Sequence, residues 1–170
     1  MFGERKIEDL PIPLSIVVTG VVDGQSRVLT HGRLVDALYA SITIFPLMEC
    51  IRINNVPYVD GAFSNPIPVN VGLEAHPNIL LITTFTFKPD HQPNHFFRFI
   101  NNLFCLSIEQ YGLKKVEHWM QQAKEVQYIH LDYMLSEPLS IVDTNQLNTI
   151  IQLGEHVLKQ HESSLRILYE

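Results

Sequence analysis

The sequence predicts an α/β layer structure with a mainly parallel central sheet. Short β-branched or apolar runs, Leu14–Thr19 and Ile79–Ile82 foremost, alternate with segments of helical period at Arg33–Ala40, Phe96–Lys124 and Leu147–Leu158. Turn-forming residues punctuate the alternation, and no internal repeat or low-complexity tract interrupts it. A hydrophobic share of 46% against 18% charged residues is the balance of a globular chain with a core.

The elements follow in order. Leu14–Thr19 reads as a buried strand ended by Gly20, Val21–Ser26 as a turn, and Arg27–Thr30 as a second short strand. Gly32 opens a helix over Arg33–Ala40 with Leu34, Ala37 and Leu38 on one side. Ile51–Val59 reads as a hairpin, because Asn54-Asn55 tolerates the positive φ angles of a tight two-residue turn. Pro57, which lacks a donor, points to an edge strand. Asn65-Pro-Ile-Pro begins a short helix running to about Ala75. Ile79–Ile82 is a second buried strand, Lys88–Asn94 a polar loop, and Phe96–Lys124 a long helix that is apolar first and polar later. A strand centred on Tyr128–Leu131 and a final helix after Asp143 or Thr144 as N-cap complete the chain.

A formal net charge of −6 leaves no basic patch for phosphates, so nucleic acid is not an expected partner. Cys50 and Cys105 lie in apolar stretches and read as buried free thiols. Met1–Lys6 lacks the pattern of a signal peptide, and no apolar run reaches the ~20 residues of a membrane span. Together these point to a cytoplasmic or peripheral membrane location.

Tyr58-Val59-Asp60-Gly61-Ala62 is the stretch that carries chemistry. It sets a carboxylate at the end of a short apolar strand, before a turn of small residues. A carboxylate with a pKa of ~3.9 in water is a poor general base. Rigid placement and partial shielding from water make it a useful one. Ser41, in a helical segment, reads as a residue bonded back to a carbonyl, and Ser64 offers no stronger case for a nucleophile. The eight histidines are scattered; His91 and His95 have i,i+4 spacing, but Pro93 lies between them, and no metal motif occurs. No metal or organic cofactor is expected. Phe96–Ile108 concentrates four of the nine phenylalanines and reads as a core helix, with an acyl-pocket wall or a lipid-facing surface as the alternative.

Three stretches stand in a telling order: Ile7–Gly20, Gly32–Pro46 with its Gly-x-Leu-x-x-Ala-x-x-Ala-Ser core, and Val56–Val69 with Asp60-Gly61-Ala62. In order and spacing they resemble the patatin-like phospholipases, bacterial type, and the resemblance extends over nearly the whole chain. It implies a three-layer α/β/α domain of which residues 1–170 form the C-terminal portion, without the nucleophile elbow. It implies Asp60 as the catalytic base, Gly61 and Ala62 as its turn, and a Ser-Asp dyad hydrolysing carboxylic esters of lipids. The family's serine stands in Gly-x-Ser-x-Gly; here the nearest spacing is Gly20-Val-Val-Asp-Gly24, with Val22 at the nucleophile position. A Gly-rich oxyanion loop is also lacking, so the chain by itself is expected to be inactive. The implied partners are a lipid or phospholipid ester substrate, a membrane surface, and a second copy meeting an exposed sheet edge. The alternative is a catalytically inactive patatin-like scaffold that binds lipid or a protein partner.

Overall fold

The computed structural model describes residues 3–45, 48–87, 96–135 and 147–168. The chain divides into two compact units, the first through Val71 and the second from Gly72.

In the first unit, β1 (Ile16–Gly20), β2 (Ser26–Leu29), β3 (Ile51–Ile53) and β4 (Val56–Asp60) form one sheet in the order β2-β1-β4-β3. All three of its pairings are antiparallel. α1 (Leu34–Ser41) covers one face. Its Leu34, Ala37 and Ala40 pack with Ile16 and Val18 of β1 and with Ile7, while Ile51, Ile53 and Tyr58 close the cluster from the neighbouring strands. Helical spacing of three puts the small alanines inward, which lets the helix lie close to the sheet. Burying a side chain such as Val18, 0% exposed, contributes about 1.5–3 kcal/mol.

The hairpin joining β3 to β4 is the one the asparagines predict. Asn54 and Asn55 have φ of 52° and 66°, the left-handed pair of a type I′ turn. Pro57 departs from expectation, because β4 is an inner strand flanked by β1 and β3. The β1–β4 ladder runs from Val18–Asp60 to Gly20–Tyr58, and one residue further Val21 N donates to Pro57 O at 3.0 Å. The proline therefore sits where the ladder ends, and its missing donor costs the sheet little.

In the second unit, β5 (Ile79–Phe87) and β6 (Gln127–Leu135) pair in parallel over nine residues, from Ile79–Gln127 to Phe87–Leu135. α2 (Val69–Leu73) ends as this unit begins; its five residues are shorter than the expected run from Asn65 to Ala75. α3 (Phe96–Gln122) connects β5 to β6, as parallel pairing requires. Ile129 and Leu131 of β6 pack on Val157 and Leu153 of α4 (Leu147–Gln160), with Leu165 of α5 (Glu162–Leu165) alongside. The α/β reading therefore holds. Among the described residues, however, parallel pairing is confined to β5–β6, and the larger sheet is antiparallel because β1 and β2, like β3 and β4, are joined by short turns.

The helix surfaces hold a second departure. On α3, Phe96 (73% exposed), Phe99, Ile100 and Leu103 (53% exposed) form an exposed stripe that Ser107, Gln110, Tyr111 and Lys114 continue. The first half of α3 is apolar on its outward face as well as its inward one, which a core-helix reading does not anticipate. On α4, Val157 is buried, yet Leu147, Ile151 and Leu158 are exposed. The Lys88–Asn94 loop and the N-cap candidates Asp143 and Thr144 lie outside the described residues.

Candidate active site

Asp60 is the last residue of β4 and the N-cap of a 3₁₀ turn, Gly61–Phe63. Its carboxylate Oδ1 accepts from Ala62 N at 2.8 Å, closing an Asx turn over Gly61. Its own backbone is held twice more. Asp60 N donates to Thr43 O at 3.0 Å, and Asp60 O accepts from Thr19 Oγ1 at 2.8 Å. That last bond uses the one hydroxyl hydrogen of Thr19, so Ser64 Oγ is the donor in the 2.7 Å contact it makes with Thr19 Oγ1.

Gly61 is required by space rather than by φ. A Cβ built there would lie 2.4 Å from Val17 O and 2.8 Å from Val17 C, both main-chain atoms that cannot swing aside. The turn is tied down beyond it. Ser64 N and Asn65 N both donate to Gly61 O, at 3.1 and 2.8 Å, and buried Asn65 donates through Nδ2 to Asn70 Oδ1 at 3.0 Å. Ala62 supplies the amide that orients the carboxylate.

Asp60 is half-buried, and burial pushes its carboxyl above the ordinary aspartate value, opposed by the Ala62 amide. A raised pKa brings a carboxylate closer to what proton abstraction at neutral pH requires. Thr19 and Asn65 are the site residues that sequence reading passes over. Thr19 looks like one more β-branched strand residue, and Asn65 before Pro66 looks like an ordinary turn residue.

The other candidates fall elsewhere. Ser41 Oγ donates back to Leu38 O at 3.0 Å, the helical bond expected of it. Of the described histidines, His31 bonds Thr30, His118 Gln122, His156 Gln160 and His161 Val157 O, all within four residues, and His130 of β6 meets Thr84 of β5. Among the described residues no three His, Cys, Asp or Glu side chains converge as metal ligands. His91 and His95 lie outside them. Cys50 and Cys105 are free thiols, as expected, but both are partly exposed rather than buried. Burial and then the Glu109 carboxylate push the Cys105 thiol upward.

Beside the Asp turn lies an apolar concavity of about 310 Å³, lined by Thr19, Gly20, Val21, Gly24, Phe45, Cys50, Val59 and Phe63. Val59 immediately precedes Asp60, and Phe63 immediately follows Ala62.

Residues 1–73 match the family model of the patatin-like phospholipases. The patatin-like segment includes β1 to β4, α1 and the whole Asp60 turn. At the family level the match is to lipid acyl hydrolases, whose substrates are lipids. Among the described residues no helix is long and apolar enough to cross a membrane.

Proposed function

We propose that this chain supplies the general base of a Ser-Asp lipid acyl hydrolase and that Asp60 is that base. The observation that carries the reading is the clamped, half-buried Asp60 carboxylate with its raised pKa, inside the patatin-like segment. On this reading residues 1–170 are the C-terminal portion of one catalytic domain, and the serine comes from a segment outside them. Asp60 takes the proton from the serine hydroxyl as its oxygen attacks the ester carbonyl. Asp60 returns that proton to the leaving alkoxide as the C–O bond breaks, which leaves an acyl-enzyme and an ionised Asp60. Asp60 then takes a proton from the water that attacks the acyl carbon and returns it to the serine oxygen as the acid departs. Gly61 and Ala62 hold the carboxylate in the orientation this transfer needs.

The substrate on this reading is a lipid or phospholipid ester. The exposed stripe of Phe96, Phe99, Ile100 and Leu103 favours contact with a membrane surface, and β2 and β3, the outer strands of the first sheet among the described residues, favour self-association. In protein that includes the serine-bearing segment, Asp60→Asn should lower kcat for a short-chain ester by about 10²–10⁴-fold. Unchanged turnover would remove Asp60 from the mechanism.

A second reading is favoured by one observation: the 170 residues contain no Gly-x-Ser-x-Gly. The chain would then be an inactive scaffold that binds lipid or a protein partner. A serine-directed fluorophosphonate that labels the natural protein at a residue outside this segment would exclude it.

A further inference from the structure

We propose that Ser64 is a positioning residue: through the hydroxyl of Thr19 it aims the Asp60 carboxylate. This role deepens the general-base reading and rests on it for turnover, while the aim of the carboxylate is measurable without turnover.

The two hydroxyls form a directed relay. Ser64 Oγ donates to Thr19 Oγ1 at 2.7 Å, and Thr19 Oγ1 donates to Asp60 O at 2.8 Å. Each bond polarises the next, so the first strengthens the second. A threonine hydroxyl is a rotor with one hydrogen and two lone pairs. With the Ser64 hydrogen on its oxygen, Thr19 keeps its own hydrogen directed at the Asp60 carbonyl. Thr19 is 5% exposed, so water has little access to the lone pair that loss of Ser64 would vacate.

The relay also joins the two ends of the turn. Asp60 is the N-cap of the 3₁₀ turn and Ser64 its C-cap, and both meet on one oxygen of β1. Ser64 N donates to Gly61 O at 3.1 Å, which closes the loop on its own backbone. The Ala62 amide that holds Oδ1 lies inside that loop. A tilt of the Asp60–Gly61 peptide would part the amide from the carboxylate. The Val17 carbonyl, against which Gly61 abuts, blocks a tilt toward β1; the relay opposes a tilt away from it. The Ser64 hydrogen is given to Thr19, which sets this serine to aiming the acid and not to attacking an ester.

Three variants of the natural protein test the role. Ser64→Ala removes the first donor of the relay, Thr19→Val its middle member, and Ser64→Thr keeps the hydroxyl. Ser64→Ala should speed hydrogen exchange of the Ala62 amide about tenfold, the scale of one lost hydrogen bond. It should spread Asp60 over more than one χ1 rotamer, read from three-bond couplings to its carboxyl carbon. In an ester assay it should lower kcat about 10- to 100-fold with KM unchanged, as misplacing a reacting group does. Ser64→Thr should return all three readouts to wild type. If Ser64→Ala fails to fold, Thr19→Val should show the same exchange and rotamer changes.

Wild-type Ala62 exchange and a single Asp60 rotamer in Ser64→Ala would overturn the role. Failure of Ser64→Thr to restore them would do so too, because volume and not the hydroxyl would then matter. A loosened Asp60 in Ser64→Ala alongside a fully active Asp60→Asn enzyme would keep the role and sink the base assignment. Turnover lost in Asp60→Asn, with Ser64→Ala like wild type throughout, would do the reverse.

Discussion

The two units of this chain handle apolar surface differently. In the first, α1 lies on a four-stranded sheet and closes a cluster in which Val18 and Ala40 are wholly buried. In the second, Ile129, Leu131 and Val157 are buried, yet α3 and α4 still present Phe96, Phe99, Ile100, Leu103, Ile151 and Leu158 to the outside. The unit carrying the clamped carboxylate has a closed core on one face of its sheet. The other carries an apolar row along a single helix, α3. The first unit exposes apolar side chains too, Val22, Ile42 and Phe45 among them, but on α3 they line up along one helix face, and mutation can probe the core and that face separately.

The largest effect tests whether the second unit has a true core. Leu131 is 1% exposed, and Leu131→Ala should cost about 2–5 kcal/mol in denaturant unfolding. A loss under 1 kcal/mol would mean that β5–β6 is loosely packed and the contrast deeper than described. Next is the clamp. Gly61→Ala forces a methyl against Val17 C=O and should cost about 1–3 kcal/mol, as overpacking does, with faster exchange of the β1 and β4 amides. Full stability in that variant would show that the β1 backbone yields and that the clamp is soft.

A smaller effect concerns pH. Asp60 has a raised pKa in the folded state, so the folded chain holds this proton more tightly than the unfolded one. Its contribution to stability therefore falls as pH rises from the ordinary aspartate value through the raised one, and stays lower above it. Asp60→Asn keeps an acceptor for Ala62 N and removes the ionisation. The variant should gain Tm relative to wild type at pH 7 and gain little below pH 3.8, the ordinary aspartate value. A variant less stable at pH 7 than wild type would reverse the sign assigned to burial. The smallest change in stability belongs to the stripe. Phe99→Ser, at an exposed position, should alter unfolding by no more than about 0.5 kcal/mol. It should also weaken sedimentation with phosphatidylcholine vesicles. A marked loss of stability would instead make Phe99 a packing residue.

Local chemistry was well written in the sequence. The Asn54-Asn55 turn, the α1 face and the carboxylate closing an apolar strand follow from residue type and spacing, because each is decided within a few residues. Pairing is not local. Nothing near Ile16 announces that β1 lies between β2 and β4, or that Pro57 stands at the end of a ladder. The reason for Gly61 was equally hidden, since the atom that forbids a side chain belongs to Val17, 44 positions earlier (61 − 17). Thr19 was masked by its β propensity; only the register shows its hydroxyl reaching Asp60 O. On α3 the pattern gave the helix but could not tell an outward apolar row from an inward one, because both rows are apolar in its first half.

The way Asp60 is held bears on how this protein can diverge. Its amide is held by a main-chain carbonyl, its carboxylate by a main-chain amide, and the following glycine abuts a main-chain oxygen. Among the described residues, Thr19 adds a side-chain bond to Asp60 O. Residues 17 and 62 can therefore exchange side chains over generations without re-aiming the carboxylate, provided the strand and turn persist, whereas Thr43 is wholly buried and its hydroxyl donates to Tyr39 O. Gly61 and Thr19 have far less freedom. A lineage can remodel what surrounds the acid, and with it what the site accepts, while the acid keeps its direction.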